Sequence, residues 1–434
     1  MLGEALTDSD HVTQRGPNID TVNHVTQAST APISDLLEPR EGTPVPVDTI
    51  AALTDAARRL AAGTGPVAID AERASGYRYT GRAYLVQLRR AGSGTVLIDP
   101  LPFEDLSPIA RVIAGQEWVV HAASQDLSCL AQLGLRPAHL FDTELGGRLA
   151  GYERVSLGLM VERLLGFRLE KGYSAADWST RPLPTEWLTY AALDVELLLE
   201  LREVLRAELD RQGKLEWAEQ EFAAVVAAKP PTVRAEPWRK TSGIHQVRSG
   251  TGLARVRALW ETRDSVARRR DSAPGRVLSD AAIIAAAQAD PSTERELFAL
   301  PVFGGRPHRR LSATWLAALS GARSLSEDEH PGPAPVPDGP PPGYRWAEKD
   351  PQAAARLTRA REALGGLSTQ HRIPTENLLA PDALRRLAWR PVEPVNEHSV
   401  AATLAGLGAR QWQIQLVAGP LAEAIAEPTE VTSE

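Results

Sequence analysis

Apolar positions recur at strand spacing early in the chain and at helical spacing thereafter. Between residues 67 and 143 there are five short apolar runs, each closed by a polar or turn residue. They are Val67-Ala68-Ile69 leading into Asp70-Ala71-Glu72, Ala83 to Leu88, Thr95 to Ile98 stopped by Asp99-Pro100, Trp118 to Ala122, and Leu140 to Thr143. Runs of this length and composition predict buried strands. Helical spacing appears over Ile50–Leu60, with Asp48 placed as its N-cap. It returns around Ile109–Ile113, from Ser124 to about Leu133, and at about 144–150, 156–165 and 185–209, the last with a break partway. Strands first and helices interleaved later predict an α/β domain with a mixed sheet.

From Leu215 onward no stretch reads as a strand. Helices are predicted at Arg248–Arg270, Asp280–Ala289, Ser312–Leu319, 350–364, 381–388, 397–406 and 410–426. Between them PGPAPVPDGPPP (331–342) reads as an extended linker. The two helical stretches look like a diverged repeat: Arg268–Ile284 aligns without a gap on Ser368–Leu384, with Pro274 on Pro374 and Leu278 on Leu378. Each stretch carries a Trp-bearing helix near its end, at Trp315 and Trp412. Trp238, Trp260, Trp315, Trp389 and Trp412 are read as core anchors, because an indole buries a large area. The expected organisation is a disordered tail (1–36), an α/β domain (37–215), a helical domain (216–325), a linker (326–346), a second helical domain (347–427) and a short tail (428–434).

Composition narrows the class. Hydrophobic content of 43% and charged content of 24% in 434 residues are ordinary for a soluble globular protein. No apolar run approaches the roughly 20 residues that span a bilayer. The N-terminus has no basic region followed by an apolar core. Cys129 is the only cysteine, which excludes an intrachain disulfide and argues against a structural zinc. A cytoplasmic location is expected, with no membrane and no obligate protein partner. The net charge of −7 is unevenly placed: Arg234 to Leu325 holds 16 Lys/Arg against 8 Asp/Glu. A basic block beside an acidic one fits a protein that holds a polyanion in one place and cations in another, although charge also fluctuates along any chain.

The candidate chemistry lies in the carboxylates. Asp70 and Glu72, at i and i+2 of a strand, share a face and repel unless a cation lies between them. Alone, such a pair reads as readily as a solubilising strand end. Asp126 falls on the first turn of a helix, where helix capping is the alternative. Asp194 lies within an amphipathic helix, one turn after Tyr190, a spacing that also suits a surface pair. Together they form an ordered set: D-x-E, then H-A-x-x-Q-D, then Y-x-x-x-D. Phosphodiester hydrolysis can use two divalent cations about 3.5–4 Å apart, and Mg²⁺ or Mn²⁺ wants clustered oxygen ligands. A tyrosine can orient the attacking water without binding metal.

VAIDAE (67–72), VVHAASQDLSCL (119–130) and LTYAALDVELL (188–198) resemble the three motifs of the DEDD superfamily of 3′→5′ exonucleases, in the subgroup with tyrosine in the third motif. FDTELGGRLAG (141–151) and GYSAADWSTRPLPTEWLTYAALD (172–194) extend the resemblance to the bacterial ribonuclease D family over roughly 45–210. The helical repeats resemble that family's paired HRDC domains. The resemblance implies an α/β ribonuclease-H-like exonuclease domain followed by two small all-α HRDC-like domains. It implies Asp70, Glu72, Asp126 and Asp194 as ligands for two divalent cations, Mg²⁺ or Mn²⁺, with Tyr190 positioning the water. The implied partner is nucleic acid, namely RNA 3′ ends, with tRNA precursors typical. Two departures stand out: Ala71 and Arg73 replace the usual Thr and Phe, so either Arg73 touches phosphate or the substrate preference differs. Lys171 stands where the family often places a substrate-facing lysine, and His121 is expected to support the site. Arg268-Arg269-Arg270 and Arg306-Pro307-His308-Arg309-Arg310 are the basic clusters of the first helical copy. A DNA exonuclease and an idle nucleic-acid-binding scaffold are the competing readings. No phosphate loop of a helicase is present, and none of the carboxylates is missing.

Overall fold

The computed structural model describes residues 33–170, 172–229, 234–303, 305–333 and 339–426, without the side chains of Arg306 and Pro307. Most of the expected N-terminal tail, Lys171, the middle of the linker and the 428–434 tail lie outside the described residues.

The α/β part contains strands β1 (Ser34–Leu36), β2 (Thr64–Arg73), β3 (Ala83–Ala91), β4 (Gly94–Ile98), β5 (Glu117–Val120), β6 (His139–Asp142) and β7 (Phe167–Leu169). Its helices are α1 (Ile50–Ala62), α2 (Ser107–Ile113), α3 (Leu127–Gln132), α4 (Thr143–Ala150), α5 (Leu157–Leu165), α6 (Thr185–Glu196), α7 (Leu198–Arg211) and α8 (Leu215–Ala227). The sheet order is β4-β3-β2-β5-β6. The β2–β3 and β3–β4 pairs are antiparallel, and β2–β5 and β5–β6 are parallel, so the sheet is mixed. The largely apolar β2, β3 and β5 are buried at its centre, as strands covered on both faces must be.

Three local expectations change. Ser34–Leu36 pairs in parallel with β7, so the end of the expected tail is a strand. Three residues are too few for alternation to show. Thr49, not Asp48, caps α1: its hydroxyl accepts from the Ala52 amide at 3.2 Å, and its extended backbone directly precedes the first helical residue. The long helix over 185–209 breaks at Leu197, which ends α6 and begins α7.

No strand follows Leu215 among the described residues. The first helical stretch contains α9 (Gly250–Arg270), α10 (Pro274–Val277), α11 (Asp280–Ala289), α12 (Glu294–Ala299), α13 (Arg306–Arg309) and α14 (Ser312–Arg323). The second contains α15 (Trp346–Lys349), α16 (Pro351–His371), α17 (Thr375–Leu378), α18 (Pro381–Trp389), α19 (Glu397–Gly406) and α20 (Gln411–Ala426). The two stretches correspond in backbone, but one residue away from the register read in the sequence. Gly250 and Pro351, which open 21-residue helices, lie 101 positions apart. The left-handed caps Asp271 and Arg372 keep the same offset, as do the extended residues Leu278 and Leu379. Arg255 donates to the Ala287 carbonyl, and Arg356 to the Ala388 carbonyl. Pro274 is therefore the first residue of its short helix, whereas Pro374 is the cap before one. Both positions tolerate a missing amide proton, so the proline drifted by one residue without disturbing the turn.

Candidate active site

Asp70 and Glu72 sit on the central strand β2, opposite Gln87 and Leu85 of β3. They point to one face, as the two-residue period requires. Helix α6 crosses that face against β2, β3 and β4. It is held at its C-terminal end by the fully buried Glu196, whose carboxylate lies 3.2 Å from Arg89. Further back along α6 come Asp194 and, one turn before it, Tyr190. Carboxylate oxygens of Asp70, Glu72 and Asp194 all lie within 4.8 Å of one another. Tyr190 and Asp194 each raise or lower the proton affinity of the other, so the phenol and the carboxylate face one another. The Tyr190 ring stands edge-on to Tyr173 at 5.9 Å and lies 6.4 Å from Trp178.

Asp126 arrives from the other side of β2, after β5. It occupies the N-cap position of α3, yet its side chain caps nothing. It lies beside Asp70 instead, and its Oδ1 is 3.6 Å from the Arg73 guanidinium. Simple helix capping thus does not account for this residue. What presents Asp126 is a left-handed turn at Ala122, φ 60°. The turn is tied down by Asp142, a residue that sequence reasoning passed over. Asp142 accepts from the amides of Ala122 and Ala123 at 3.1 and 2.9 Å, and from Glu144 and Leu145 at the start of α4 at 2.9 and 3.2 Å. A carboxylate directly before a helix signals a cap; that it also holds a turn 20 residues upstream leaves no trace in the sequence.

The electrostatics are those of crowded anions that the one nearby guanidinium, Arg73, offsets only in part. Burial first, and the neighbouring carboxylates second, push Glu72 up to about 10 and Asp126 up to about 8. Asp70 and Asp194 rise for the same first reason. Burial and the adjacent anions also raise the Tyr190 phenol, which keeps its proton to donate. Four oxygen-donor groups that repel one another are the donor set a hard divalent cation requires.

The stretch before α6 is a rigid wall. Arg181 makes five hydrogen bonds: two to Asp99 (2.6 and 2.9 Å), and one each to the carbonyls of Tyr84, Trp178 and Thr180. The Trp178 indole donates to the Tyr173 carbonyl at 3.2 Å. Asp99 at the end of β4 and Arg181 thus fasten this loop to the sheet beneath the tyrosine.

The remaining expected residues fall elsewhere. His121 Nδ1 lies 2.9 Å from the Thr143 hydroxyl, and burial lowers the ring to about 4, so it stays neutral beside α4. Arg268 donates to Asp264 and to the Tyr79 hydroxyl, and Arg269 to Ser265; Arg270 is exposed. Lys171 lies outside the described residues. Among the described residues, no helix is long and apolar enough to cross a membrane.

Residues 44–210 match the family profile described as 3'-5' exonuclease, 252–319 match HRDC domain, and 339–425 match 3' to 5' exonuclease C-terminal domain. Ribonuclease D of Granulibacter bethesdensis is 30% identical over 330 residues, covering 74% of this chain and 80% of that protein. A protein from Bifidobacterium adolescentis has a similar crystal structure, with a TM-score of 0.84 and 38% identity over 91% of this chain and 100% of that one. Escherichia coli RNase D, described as an exoribonuclease involved in structured RNA processing, gives 0.65 and 27% over 88% and 98%.

Proposed function

The chain belongs to the ribonuclease D family, a metal-dependent 3′→5′ exoribonuclease, and from that premise we propose that Asp70, Glu72, Asp126 and Asp194 hold two divalent cations, Mg²⁺ or Mn²⁺, with Tyr190 orienting the attacking water. The observation that carries this reading is the convergence of Asp70, Glu72 and Asp194 within 4.8 Å, with Tyr190 one helical turn before Asp194. Bound there, the cations would activate the water and stabilise the leaving 3′-oxygen. The protein supplies the rest. The sheet and α6 fix the carboxylates on a surface that does not yield. The Asp142-held turn brings Asp126 across β2. Tyr190, kept protonated and packed on Tyr173, offers a fixed hydroxyl to the nucleophile.

The substrate we propose is the 3′ end of a structured RNA, such as a tRNA precursor, processed in the cytoplasm. The proposed order of domains is a nuclease, an HRDC-like domain, a linker over 326–346 and a second HRDC-like domain over 347–427, with the nuclease widened from 37–215 to take in β1 and α8. The shared offset of backbone caps and of the arginine–carbonyl contacts favours kinship between the two helical stretches. Arg269 and Arg270 are the exposed candidates for phosphate contact in the first; Lys171 is a further candidate by the family resemblance alone.

The test is incubation with single-stranded RNA and DNA bearing intact 3′ ends, in Mg²⁺, Mn²⁺ or chelator. Stepwise shortening of RNA from the 3′ end, stopped by chelator and by Asp194→Asn, is expected. Cleavage that survives Asp194→Asn sinks the carboxylate assignment, and a preference for DNA sinks the substrate.

A further inference from the structure

The four carboxylates do not form one even cluster. Asp70, Glu72 and Asp194 close within 4.8 Å of one another, whereas Asp126 stands beside Asp70 and faces a cation of the protein's own. That cation is Arg73, standing where the family resemblance leads one to expect an aromatic residue. Its charge bears on Asp70 and Glu72 as well as on Asp126.

We infer that Arg73 is a resident counter-ion for Asp126, which must release that carboxylate to a nucleic-acid phosphate before a second divalent cation binds there. This rests on the metal-ligand reading of the carboxylates given above.

The geometry favours release over a permanent lock. At 3.6 Å the contact is an ion pair without a hydrogen bond. The Asp126 side chain is 7% exposed and that of Arg73 31%, so the guanidinium is the partner open to solutes. A guanidinium offers a planar fork of donors that matches a phosphate in two-point contact, a geometry the present contact does not use. The backbone beneath it is irregular: β3 carries an extra residue, Tyr84, opposite the Glu72–Arg73 step. Bulges of this kind redirect a side chain beside an active site. The three-carboxylate group can hold its cation without disturbing Arg73; the Asp126 side cannot. Binding of phosphate and of the second cation are then coupled, and such coupling acts equally in both directions.

The experiment is a Mn²⁺ titration of the full chain, with free Mn²⁺ read by electron paramagnetic resonance, in the presence and absence of adenosine 5′-monophosphate as the phosphate probe. In the native protein one site should be tight and the second at least about tenfold weaker, with the nucleotide tightening the second site by about tenfold. Arg73→Phe and Arg73→Ala should each tighten the second site without nucleotide and abolish the nucleotide's effect. Arg73→Lys, which keeps charge but not the fork, should keep the second site weak and blunt the nucleotide response. A second-site affinity unchanged by both neutral variants overturns the inference, as does an undiminished nucleotide effect in them. If instead the native protein binds no Mn²⁺, or Asp194→Asn binds like the native protein, it is the metal-ligand reading that fails.

Discussion

The two helical stretches share a backbone plan and attach to the nuclease in opposite ways. The first has a hydrophobic core of its own, built on Trp238, Phe303 and Trp315. It meets the nuclease through residues 76–80, the loop that follows the active-site strand. Tyr79 donates to Asp264 at 2.9 Å and accepts from Arg268; Ala273 donates to the Tyr77 carbonyl at 2.9 Å; Arg276 bonds the Gly76 carbonyl and lies over the Tyr77 ring. The second stretch has no separate core. Its apolar residues and those of the nuclease form a single cluster. Trp217 and Trp412 stack at 5.0 Å, Glu221 accepts from Arg410 and the Trp412 indole, and the buried Lys214 donates to the carbonyls of Leu149 and His371, at the ends of α4 and α16. One module is hinged on polar contacts beside the chemistry; the other is welded to the far side. Directional bonds in a wet interface exchange with water at little net cost, whereas a shared apolar core does not come apart in pieces.

The sharpest test uses the same substitution in both. Trp412→Ala and Trp315→Ala each remove a buried indole, at about 3–5 kcal/mol. The first should lower the unfolding midpoint of nuclease and second module together in one denaturant transition. The second should melt the first module alone and leave metal-dependent cleavage of short RNA intact. If Trp412→Ala leaves the nuclease transition where it was, the shared core is not cooperative and the contrast collapses.

A smaller change should loosen the hinge without unfolding anything. Tyr79→Phe loses the hydroxyl held by Asp264 and Arg268, worth about 1 kcal/mol. Amide exchange should quicken over residues 74–82 and stay unchanged in α20. Combining it with Asp264→Ala should cost less than the sum of the single changes.

Legibility differed along the same line. The carboxylates could be read because strand alternation and helix period place them, and their order did the rest. A break within 185–209 is expected from the sequence, but its place at Leu197 comes from the structure. The Tyr79 hinge was not, because it joins a loop to a helix end almost 200 residues later, and no local pattern encodes such a meeting. The repeat was legible but slipped by one position, since its most visible markers are prolines that serve as a first helical residue in one copy and as a cap in the other. The basic triplet also divides: Arg268 belongs to the hinge, and Arg269 and Arg270 remain exposed.

That division predicts a weaker effect. Arg269→Glu with Arg270→Glu should raise the apparent KM for RNA a few-fold, with kcat unchanged. The slope of log affinity against log salt should fall by about 1 for each phosphate no longer engaged. An unaltered salt slope removes both residues from the substrate path.

The smallest effect probes the weld. Burial, with the Arg372 charge adding to it, lowers Lys214 from 10.5 to about 8. Between those values the unfolded chain holds more protons than the folded one, so this group's contribution to stability increases as pH rises through that window. Lys214→Met should flatten that rise, measured as urea midpoints at successive pH values. A native and a variant protein with parallel curves would show that the lysine is not desolvated.

The common core also has a consequence in time. Residues of α8 leave the ribosome long before α20 is made; at roughly 5–20 residues per second the interval from residue 227 to 426 is about 10–40 s. During it the nascent nuclease exposes Trp217, on which Trp412 of the last helix will stack. The first part of the segment translated in the interval is the module with a hydrophobic core of its own. Vectorial synthesis thus inserts a module with its own core between two halves that share one.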